Sequence, residues 1–491
     1  MKLKTYITLL FICCGIFYLN AQAQVLGFGS NPGNLNMYKY VPSGITGPAP
    51  LVIALHGCTE TALEYAHETG WDKLADRHLF YVIYPEQVIA NNSSLCFNWF
   101  DTTDVNRNMG EALSIKQMRD YMVANYDIDT TRIFVTGLSA GAAMTVAMLA
   151  AYPELFHKGA EMSGLPYKAA TSVLTTTYAE DGLVTNIPSQ WRALVRAQNP
   201  TYTGPFPKLA IFHGTADFVV NINNATELIK QWTNLNHADQ IVDSTYNSFQ
   251  GNANVEQTIY NDSSNNPVVY YYKITGMPHG IAIDTGSCPR QGGAIATYSI
   301  EEHKFHSTYW AADFFGILKQ PYIITGSILV NQYAANIVYS VPNTIGSTYN
   351  WTVPTHAQIV GGQGTNSITV NFDTISGNVS VTETTAAGCI NDEASLYVLV
   401  NSTNGVVNIA KQNGKIVFCS ADNSLLMTNF NLSELKSIVI YNSVGEKMSV
   451  SYNVIGNKIF LKNKFSTGIY FADLIGEFGQ GNCKMLVLPT Q

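Results

Sequence analysis

The sequence predicts an α/β fold with a mostly parallel sheet, followed by two small all-β units. Between about residues 35 and 320, apolar runs of strand length alternate with amphipathic helical patterns. Within that region a glycine-rich turn joins one apolar run to a helix. The remaining chain contains short alternating segments separated by Gly, Asn and Pro turns, as in β-sandwiches. The 491 residues are enough for about three domains.

Most of the predicted strands are apolar throughout, as expected for strands that are covered on both faces of a parallel sheet. The predicted strands, some given together with the turn that follows, are residues 35–42, 49–55, 80–85, 133–137, 158–166, 208–217 and 268–274. Helical periodicity appears in residues 61–75, 110–125, 221–236 and 303–318. Residues 171–205 are less regular, and we expect them to form part of a lid or pocket wall.

A G-x-S-x-G motif stands at the turn between the strand that begins at Ile133 and the apolar helix that follows. Its residues are Gly137, Leu138, Ser139, Ala140 and Gly141. A serine on a strained turn needs small neighbours so that strand and helix can approach closely. The helix N-terminus supplies backbone N–H groups and a positive dipole end, which suit a developing oxyanion.

Composition excludes nucleic-acid binding as a main function and favours export. Charged residues make up 13% of the chain and the formal net charge is -8, so no basic stripe is available for phosphates. Residues 1–23 have the charged, apolar and small-residue parts of a signal peptide, with cleavage expected after Ala23. The apolar run 7–19 is short for a bilayer, and no second long apolar segment follows. We therefore expect a secreted chain without a membrane span.

Eight cysteines reduce to six after cleavage, and Cys58, Cys96 and Cys288 fall in the α/β region. Because disulfides use cysteines in pairs, at least one of these three is unpaired or pairs with a cysteine outside the α/β region. No C-x-x-C spacing occurs, so a structural zinc site is not expected. We expect neither a metal nor another cofactor.

Ser139, Asp217 and His279 form the candidate catalytic triad. They occur in the order nucleophile, acid, base that is typical of the α/β-hydrolase fold. Each comes just after a predicted strand, and the carboxyl ends of parallel strands meet at one edge of the sheet. The backbone N–H groups of Cys58 and Ala140 are the candidate oxyanion hole.

Other residues compete for these roles. His56 and His213 precede glycines at strand ends and are better explained as structural or pocket-lining residues than as the base. We assign His56 and Trp99 to substrate binding, although the aromatic segment 96–101 around Trp99 is also explained as a structural plug. The remaining rivals are His303 and His306, as surface or packing residues of the last helix, and Asp181 and Asp284, which follow no clear buried strand.

With these residues in place, the region 35–320 resembles the polyhydroxybutyrate depolymerase type of esterase, a group related to acetyl xylan and feruloyl esterases. The matching pieces are residues 55–58, 96–100, 110–115, 136–144, 151–153, 163–167 and 213–217. The resemblance places Ser139, Asp217 and His279 on the family's triad, and Cys58 and Ala140 on its oxyanion amides. One departure is Ile281 after Gly280, where the family often has tryptophan.

Two further resemblances concern the rest of the chain. The alternating segments 336–341, 348–353 and 367–372 indicate a β-sandwich similar to PKD-like modules of secreted Bacteroidetes proteins, which acts as a spacer or as a weak polymer binder. Residues 437–446 and 465–471 resemble the C-terminal sorting domain of the type IX secretion system. The expected organisation is a signal peptide (1–23), an esterase domain (24–320), a PKD-like sandwich (321–401) and a sorting domain (402–491).

The sequence therefore predicts a secreted or surface-attached serine esterase that acts on a polymer through an acyl-enzyme. Acetyl or feruloyl esters on plant polysaccharide are the first expectation for its substrate, and polyhydroxyalkanoate is the alternative. A third reading is a non-catalytic polymer-binding surface protein. The expected partners are the polymeric ester and the type IX secretion machinery, without nucleic acid.

Overall fold

A computed structural model of the chain describes residues 22–300, residues 303–401 and short segments between residues 415 and 487. Two compact units divide the chain, Met1–Lys319 and Gln320–Gln491. Most of the predicted signal peptide, residues 1–21, lies outside the described residues. Within the described part of the chain, every helix is too short or too polar to cross a bilayer.

A ten-stranded sheet forms the centre of the first unit. Its strands are β1 (Ala23–Val25), β2 (Asn36–Tyr40), β3 (Ala49–Leu55), β4 (Tyr81–Glu86), β5 (Ile128–Leu138), β6 (Lys158–Met162), β7 (Lys208–Gly214), β8 (Ser244–Tyr246), β9 (Val255–Asn261) and β10 (Pro267–Ile274). The spatial order is β1-β2-β4-β3-β5-β6-β7-β10-β9-β8. The six strands from β4 to β10 in this order are parallel, and the outer two on each side are antiparallel. This arrangement confirms the predicted α/β fold class.

Helices cover both faces of the sheet. They are α1 (Ala62–Thr69), α2 (Trp71–His78), α3 (Thr102–Val105), α4 (Gly110–Asn125), α5 (Ala140–Ala151), α6 (Thr176–Glu180), α7 (Pro188–Arg196), α8 (Asn223–Leu235) and α9 (Ser307–Phe315). Short 3-10 turns span Val173–Thr175 and Phe249–Gly251, and the two-residue strands β11 (Ile281–Ala282) and β12 (Ser299–Ile300) form a separate parallel pair.

The strands separate two apolar layers because successive side chains of a strand point to opposite faces. In β3, where every residue is buried, Leu51, Ile53 and Leu55 pack in one layer with residues of α4, α5 and α8. Val52 and Ala54 pack in the other layer with residues of α1, α2 and α9. The continuous apolar pattern of the sequence is thus explained by burial on both faces.

One predicted helix is wrong in its bounds. Residues 61–75 were expected to form one helix, but α1 ends at Thr69 and α2 begins at Trp71. Gly70 lies between them with φ 71°, the left-handed region in which glycine is unstrained. A Cβ at this position would lie 2.9 Å from the backbone nitrogen of Gly293, so the break also makes room for a distant loop.

The antiparallel edge formed by β8 and β9 was not predicted from the sequence. Residues of β9 alternate between buried and partly exposed positions, and β8 is a short, largely exposed strand. Such edge strands lack the continuous apolar run that identified the central strands.

The second unit contains a β-sandwich, as its alternating segments predicted. One sheet has the order β13 (Leu329–Asn331), β19 (Ala394–Asn401), β18 (Gly377–Thr384), β15 (Thr348–Thr352), and the other has β14 (Ile337–Ser340), β17 (Ser367–Asn371), β16 (Gln358–Gly361). Tyr339 and Trp351 are buried in its core. The Trp351 indole N–H donates to the Thr365 carbonyl at 2.8 Å, so its polar group is also satisfied.

Further strands of this unit form two four-stranded sheets. They are β20 (Lys415–Cys419), β21 (Ser424–Thr428), β22 (Leu435–Asn442), β23 (Lys447–Met448), β24 (Tyr452–Ile455), β25 (Lys458–Leu461), β26 (Gly468–Gly476) and β27 (Gly479–Val487). All described pairs within these two sheets are antiparallel. The β character expected for this part of the chain is confirmed for the segments that the structure describes.

Candidate active site

Ser139 lies on the turn between β5 and α5, with backbone angles φ 55° and ψ -117°. A non-glycine residue rarely adopts this conformation, and it persists only where the surroundings enforce it. The Ser139 N–H donates to the Met162 carbonyl of β6 at 3.0 Å, and its carbonyl accepts from the Ala143 N–H at 2.9 Å. The turn is therefore held from both the sheet and the helix.

The two glycines of the motif allow the backbone contacts on which this turn depends. A Cβ at Gly137 would lie 2.4 Å from the carbonyl carbon and oxygen of Gly141. A Cβ at Gly141 would lie 2.3 Å from the Leu55 carbonyl oxygen and 2.4 Å from that of His56. These distances are too short for real Cβ contacts, so only glycine lets α5 begin directly against the end of β3.

Asp217 follows β7 and its carboxylate is fully buried. Oδ1 accepts hydrogen bonds from the backbone N–H groups of Val219 at 3.0 Å and Val220 at 2.8 Å. Oδ2 is 2.8 Å from Nδ1 of His279. One oxygen thus holds the loop while the other orients the imidazole.

The charge state of Asp217 follows from this arrangement. Burial on its own raises the pKa of a carboxyl. At Asp217 the hydrogen bond and charge of His279, with smaller contributions from His213 and the Val220 amide, outweigh burial and lower the pKa below its ordinary value. The group is therefore an ionised acceptor, and it stabilises an imidazolium beside it.

The loop that carries His279 is tied to the loop that carries Asp217. The Gly276 N–H donates to Thr215 Oγ1 at 2.8 Å, and the Ala216 N–H donates to the Met277 carbonyl at 3.0 Å. The Asp217 carboxylate accepts from Nδ1–H of His279, so Nε2 is the nitrogen that remains to act as base. The side chain of His279 is 9% exposed.

Apart from His213, which lies beside Asp217, the rival acids and bases occupy other environments. Asp181 is exposed, and Asp284 contacts Gln291 at 3.4 Å. His303 and His306 are buried and precede α9, with His306 hydrogen-bonded to the Thr69 carbonyl at 2.9 Å. His213 is fully buried with Nε2 donating to the Val220 carbonyl at 2.8 Å, and burial lowers its pKa. Of the predicted acids and bases, Asp217 and His279 form the 2.8 Å hydrogen bond, whereas His213 Nε2 lies 3.5 Å from the same Asp217 Oδ2.

Two backbone amides lie free beside Ser139. Ala140 is the first residue of α5, so its N–H has no acceptor within the helix. Among the described residues, the amides of Ala140 and Cys58 have no hydrogen-bond acceptor. A disulfide joins Cys58 to Cys96 and connects the segment after β3 to the loop after β4.

His56 supports the Cys58 amide instead of facing a substrate. Its side chain is fully buried, Nε2 accepts from the Gln87 N–H at 3.0 Å, and Nδ1–H therefore donates to the Gly57 carbonyl at 2.6 Å. The Gly57 carbonyl and the Cys58 N–H belong to one planar trans peptide and point in opposite directions. The hydrogen bond from Nδ1–H to the Gly57 carbonyl thus fixes the direction of the Cys58 N–H, and the hydrogen bond that Nε2 accepts from Gln87 fixes the imidazole ring.

Trp99 is 6% exposed and packs beside Ala140 in an apolar cluster. Phe97, in the same loop, is fully buried and contacts the His56 ring with centroids 4.8 Å apart. The aromatic segment is therefore mainly a packed support for the site, which corresponds to the structural interpretation of this segment.

Sequence reasoning missed two buried polar residues near the site, Ser163 and Glu161. Buried Ser163 donates from Oγ to the Gly280 carbonyl at 3.3 Å, which links β6 to the loop of His279. Glu161 is fully buried and accepts from the Gly164 N–H at 2.7 Å. Burial raises the pKa of Glu161 to about 8, and the negative charge of Asp217 acts in the same direction. The sequence signal that could have indicated Ser163 was the turn of small residues after β6. No sequence pattern indicates that Glu161 is buried.

Comparisons with known proteins agree with this geometry. Residues 35–257 match the family model "Esterase PHB depolymerase", and residues 317–399 match "PKD-like domain". The chain is 45% identical over 300 residues to poly(3-hydroxyalkanoate) depolymerase C of Paucimonas lemoignei, which covers 61% of this chain and 70% of that protein.

Two fungal relatives are more distant. Feruloyl esterase B of Talaromyces funiculosus is 31% identical over 268 residues, with 53% of this chain and 73% of that protein covered. Probable acetylxylan esterase A of Aspergillus fumigatus is 34% identical over 267 residues, with 53% and 70% covered. The predicted resemblances to these esterases and to PKD-like modules are confirmed. The chain belongs to the PHB depolymerase family of esterases and is a serine carboxylic ester hydrolase.

Proposed function

We propose that the chain hydrolyses the ester bonds of an extracellular polymer, with Ser139 as nucleophile, His279 as base and Asp217 as the acid that orients it. The observation that carries the proposal is the 2.8 Å hydrogen bond between Asp217 Oδ2 and His279 Nδ1, together with the strained turn on which Ser139 lies.

In this mechanism Ser139 Oγ attacks the ester carbonyl carbon while His279 Nε2 takes the hydroxyl proton. The carbonyl oxygen becomes an oxyanion, and the Cys58 and Ala140 amides stabilise it. Collapse of the tetrahedral intermediate breaks the ester C–O bond, and the imidazolium returns the proton to the leaving alcohol. Water activated by His279 then attacks the acyl-enzyme, and the acid product leaves as Ser139 regains its proton.

The cellular place of the enzyme is part of the proposal. The signal-peptide pattern of residues 1–23 supports export, and the resemblance of residues 437–446 and 465–471 to type IX sorting domains supports passage to the outside. A PKD-like module on an exported esterase suits a polymeric substrate, either as a spacer or as a weak binder.

Two substrate classes follow from the relatives. Acetyl or feruloyl esters on polysaccharide were expected first from the sequence, and two fungal relatives carry those names. An aliphatic polyester is the second candidate, supported by the 45% identity to a poly(3-hydroxyalkanoate) depolymerase and by the exposed side chain of Phe218, the residue after Asp217.

The test compares the purified chain with Ser139→Ala on p-nitrophenyl acetate, methyl ferulate, acetylated xylan and polyhydroxybutyrate film. We expect turnover by the unaltered chain to fall at least about 10³-fold in the variant, because the covalent step is lost. Equal turnover by both proteins on every ester would refute the mechanism and favour a non-catalytic polymer-binding protein.

A further inference from the structure

A buried glutamate contacts the segment that carries the Cys58 amide. We define the oxyanion loop as residues 56–60. Glu60 is 3% exposed, and its Oε2 accepts a hydrogen bond from the Gly57 N–H at 2.6 Å. Gly57 directly precedes Cys58, whose amide is one of the two candidate oxyanion donors. The Glu60 carboxyl is therefore bonded to the residue next to that donor.

Glu60 and His56 hold the two peptide groups on either side of the Gly57 Cα. Glu60 accepts from the N–H of the preceding peptide, and His56 Nδ1–H donates to the carbonyl of the following one at 2.6 Å. Because glycine populates a wide range of φ and ψ, fixing one of these peptide groups leaves the direction of the other undetermined. The Cys58 N–H belongs to the following peptide, so both hydrogen bonds are needed to give it one direction.

The oxyanion loop also holds an unfavourable backbone conformation. Thr59 has φ 65°, a region in which a β-branched residue is sterically strained. Its N–H donates to the Ser94 carbonyl at 2.7 Å, and the neighbouring Cys58 is joined to Cys96 by the disulfide. Such a conformation persists only where its surroundings enforce it. We therefore expect the loop to relax when one of its contacts is removed.

The surroundings of Glu60 keep its carboxyl neutral at pH 7. Burial, followed by the negative charge of Glu68, raises the pKa of Glu60 to about 9, while the bond from the Gly57 N–H acts in the opposite direction. Oε1 of Glu60 is buried and faces no donor among the described residues, as suits an oxygen that carries a proton. The acceptor for this proton is Glu68. Burial raises the pKa of Glu68, and the hydrogen bond from Glu60 acts against that rise.

The other titratable groups around this carboxyl pair provide no compensating positive charge. On α1, Glu64 adds a negative charge, and burial together with both carboxyls raises the pKa of Tyr65, which stays neutral. Just after β3, burial lowers the pKa of His56, so this ring is neutral as well. An ionised Glu60 would repel an oxyanion at the Cys58 N–H, because buried charges are weakly screened. A neutral acid holds the loop without that repulsion.

The same carboxyl pair is tied to the segment that follows His279. Ser299 Oγ donates to Glu68 Oε2 at 3.4 Å. Ser299 pairs with Ile281 in the short ladder of β11 and β12, two residues after His279. The pair of Glu60 and Glu68 thus connects the oxyanion loop with the segment that follows the base.

We propose that Glu60 is a positioning residue of ester hydrolysis, which fixes the direction of the Cys58 amide through its bond to Gly57 and, by sharing a proton with Glu68, keeps negative charge away from the oxyanion. The inference rests on the proposed function, because an oxyanion forms there only if Ser139 attacks an ester. It adds a dependence on pH, since the loop is held in this way while Glu60 is protonated and not when Glu60 is charged.

Two substitutions separate the hydrogen bond of Glu60 from its bulk. Glu60→Met keeps the length of the side chain but leaves the Gly57 N–H without an acceptor, so we expect kcat on p-nitrophenyl acetate to fall by about 10- to 100-fold with KM within about twofold. Glu60→Gln keeps an oxygen for Gly57 and an N–H for Glu68, so its kcat should exceed that of Glu60→Met by about fivefold or more.

Inhibition by phenylboronic acid tests the oxyanion directly. The boron atom accepts the Ser139 oxygen and becomes a tetrahedral anion, which resembles the intermediate of ester hydrolysis. The inhibition constant should rise in Glu60→Met by a factor similar to the loss of kcat, and much less in Glu60→Gln. A residue that matters only for packing would not make the inhibition constant follow kcat in this way.

The pH dependence of kcat tests the proton of Glu60. In the unaltered chain we expect kcat to fall as the pH rises through about 9, because the carboxyl then becomes charged. Glu60→Gln cannot ionise, so this alkaline loss should disappear, while tryptophan fluorescence at each pH reports that the chain is folded. The matched control is Glu64→Gln, an exposed glutamate that bonds to Thr61 instead of Gly57. It should leave both kcat and the alkaline loss unchanged.

Unchanged kcat in Glu60→Met would overturn the inference. Equal losses in Glu60→Met and Glu60→Gln together with a lowered unfolding midpoint would also overturn it, since Glu60 would then matter only for packing. An alkaline loss that persists in Glu60→Gln would overturn the role of the proton, and this profile decides the result if Glu60→Met does not fold.

All rates are compared with those of Ser139→Ala in the same assay. Turnover that Ser139→Ala retains would refute the proposed function itself. Serine-dependent turnover that the Glu60 variants leave unchanged at every pH would refute this inference alone.

Discussion

The carboxylate of Asp217 divides its oxygens between two roles. Oδ1 accepts from the Val219 and Val220 amides, and Oδ2 accepts from His279. Its lowered pKa, despite burial, shows that the interaction with His279 favours the charged form. At the scale of single residues, the charge of Asp217 can therefore be tested separately from its size, by a substitution that removes only the charge.

Asp217→Asn tests that separation. The amide keeps the size of the side chain but loses the charge, and it favours the wrong imidazole tautomer, so we expect kcat on p-nitrophenyl acetate to fall by about 10³- to 10⁴-fold. Asp284→Asn is the matched control, since Asp284 is the rival acid and contacts Gln291 instead. A comparable loss in the control, or none in Asp217→Asn, would contradict the assignment.

His56 is expected to act through the peptide that it holds. His56→Phe fills similar space but removes the hydrogen bonds to the Gly57 carbonyl and the Gln87 amide, so the Cys58 N–H loses its fixed direction. Because one oxyanion donor contributes about 10²- to 10³-fold, we expect kcat to fall by about 10- to 100-fold with KM nearly unchanged.

His56→Asn distinguishes this positioning role from simple packing. Its amide N–H can take the place of Nδ1–H, so part of kcat should return. A change in KM alone, or equal losses in both variants together with a lowered unfolding midpoint, would indicate that His56 matters only for packing.

At the scale of elements, the site depends on how closely α5 approaches the ends of β3 and β5. Every residue of α5 is buried. A Cβ at Gly141, the second residue of α5, would lie 2.3 Å from the Leu55 carbonyl oxygen of β3, and a Cβ at Gly137 of β5 would lie 2.4 Å from Gly141. The positive end of the helix dipole and the Ala140 amide, which has no acceptor in the described part of the chain, lie next to Ser139 because of this approach.

Gly137→Ala should separate the helix from the strand. The added methyl would lie 2.4 Å from the Gly141 backbone, so we expect the free energy of unfolding to fall by about 3 kcal/mol. Urea unfolding followed by tryptophan fluorescence measures this, since five of the six tryptophans (Trp71, Trp99, Trp191, Trp232 and Trp310) belong to the first unit. Gly47→Ala is the control, because no atom lies within 4 Å of a Cβ at Gly47, and it should be nearly neutral.

At the scale of the whole first unit, several carboxyl groups are buried away from Lys and Arg. Burial raises the pKa of Glu60 to about 9, and that of Glu111 and Glu161 to about 8. Between their ordinary value of 4.5 and these raised values, the folded chain holds protons that the unfolded chain has released. Their contribution to stability is thus complete below about pH 4.5 and is lost as the pH rises towards 8 or 9.

We therefore expect the free energy of unfolding to fall between pH 5 and pH 9, by at least about 1 kcal/mol, since one pKa unit corresponds to about 1.4 kcal/mol. Urea unfolding at a series of pH values measures this slope. Glu111→Gln removes one of the titrating groups and should flatten it, while the exposed Asp239→Asn should not. A rise in stability over this range would contradict the prediction.

Much of this organisation follows from the sequence alone. Local sequence patterns predicted the strands from β3 to β7, the helix α4 and the serine turn. Strands that are buried on both faces require a continuous apolar run, and the crowded backbone of the serine turn requires glycine and other small residues. Ser139, Asp217 and His279 could be selected as candidates because each follows a strand that the sequence predicts.

Only the tertiary structure decided how distant residues meet. It paired Cys58 with Cys96, engaged both nitrogens of His56, and divided α1 from α2 so that Gly70 meets Gly293. These outcomes depend on contacts between segments far apart in the chain, and a residue type or a local period carries no information about a partner that folding brings to it from elsewhere.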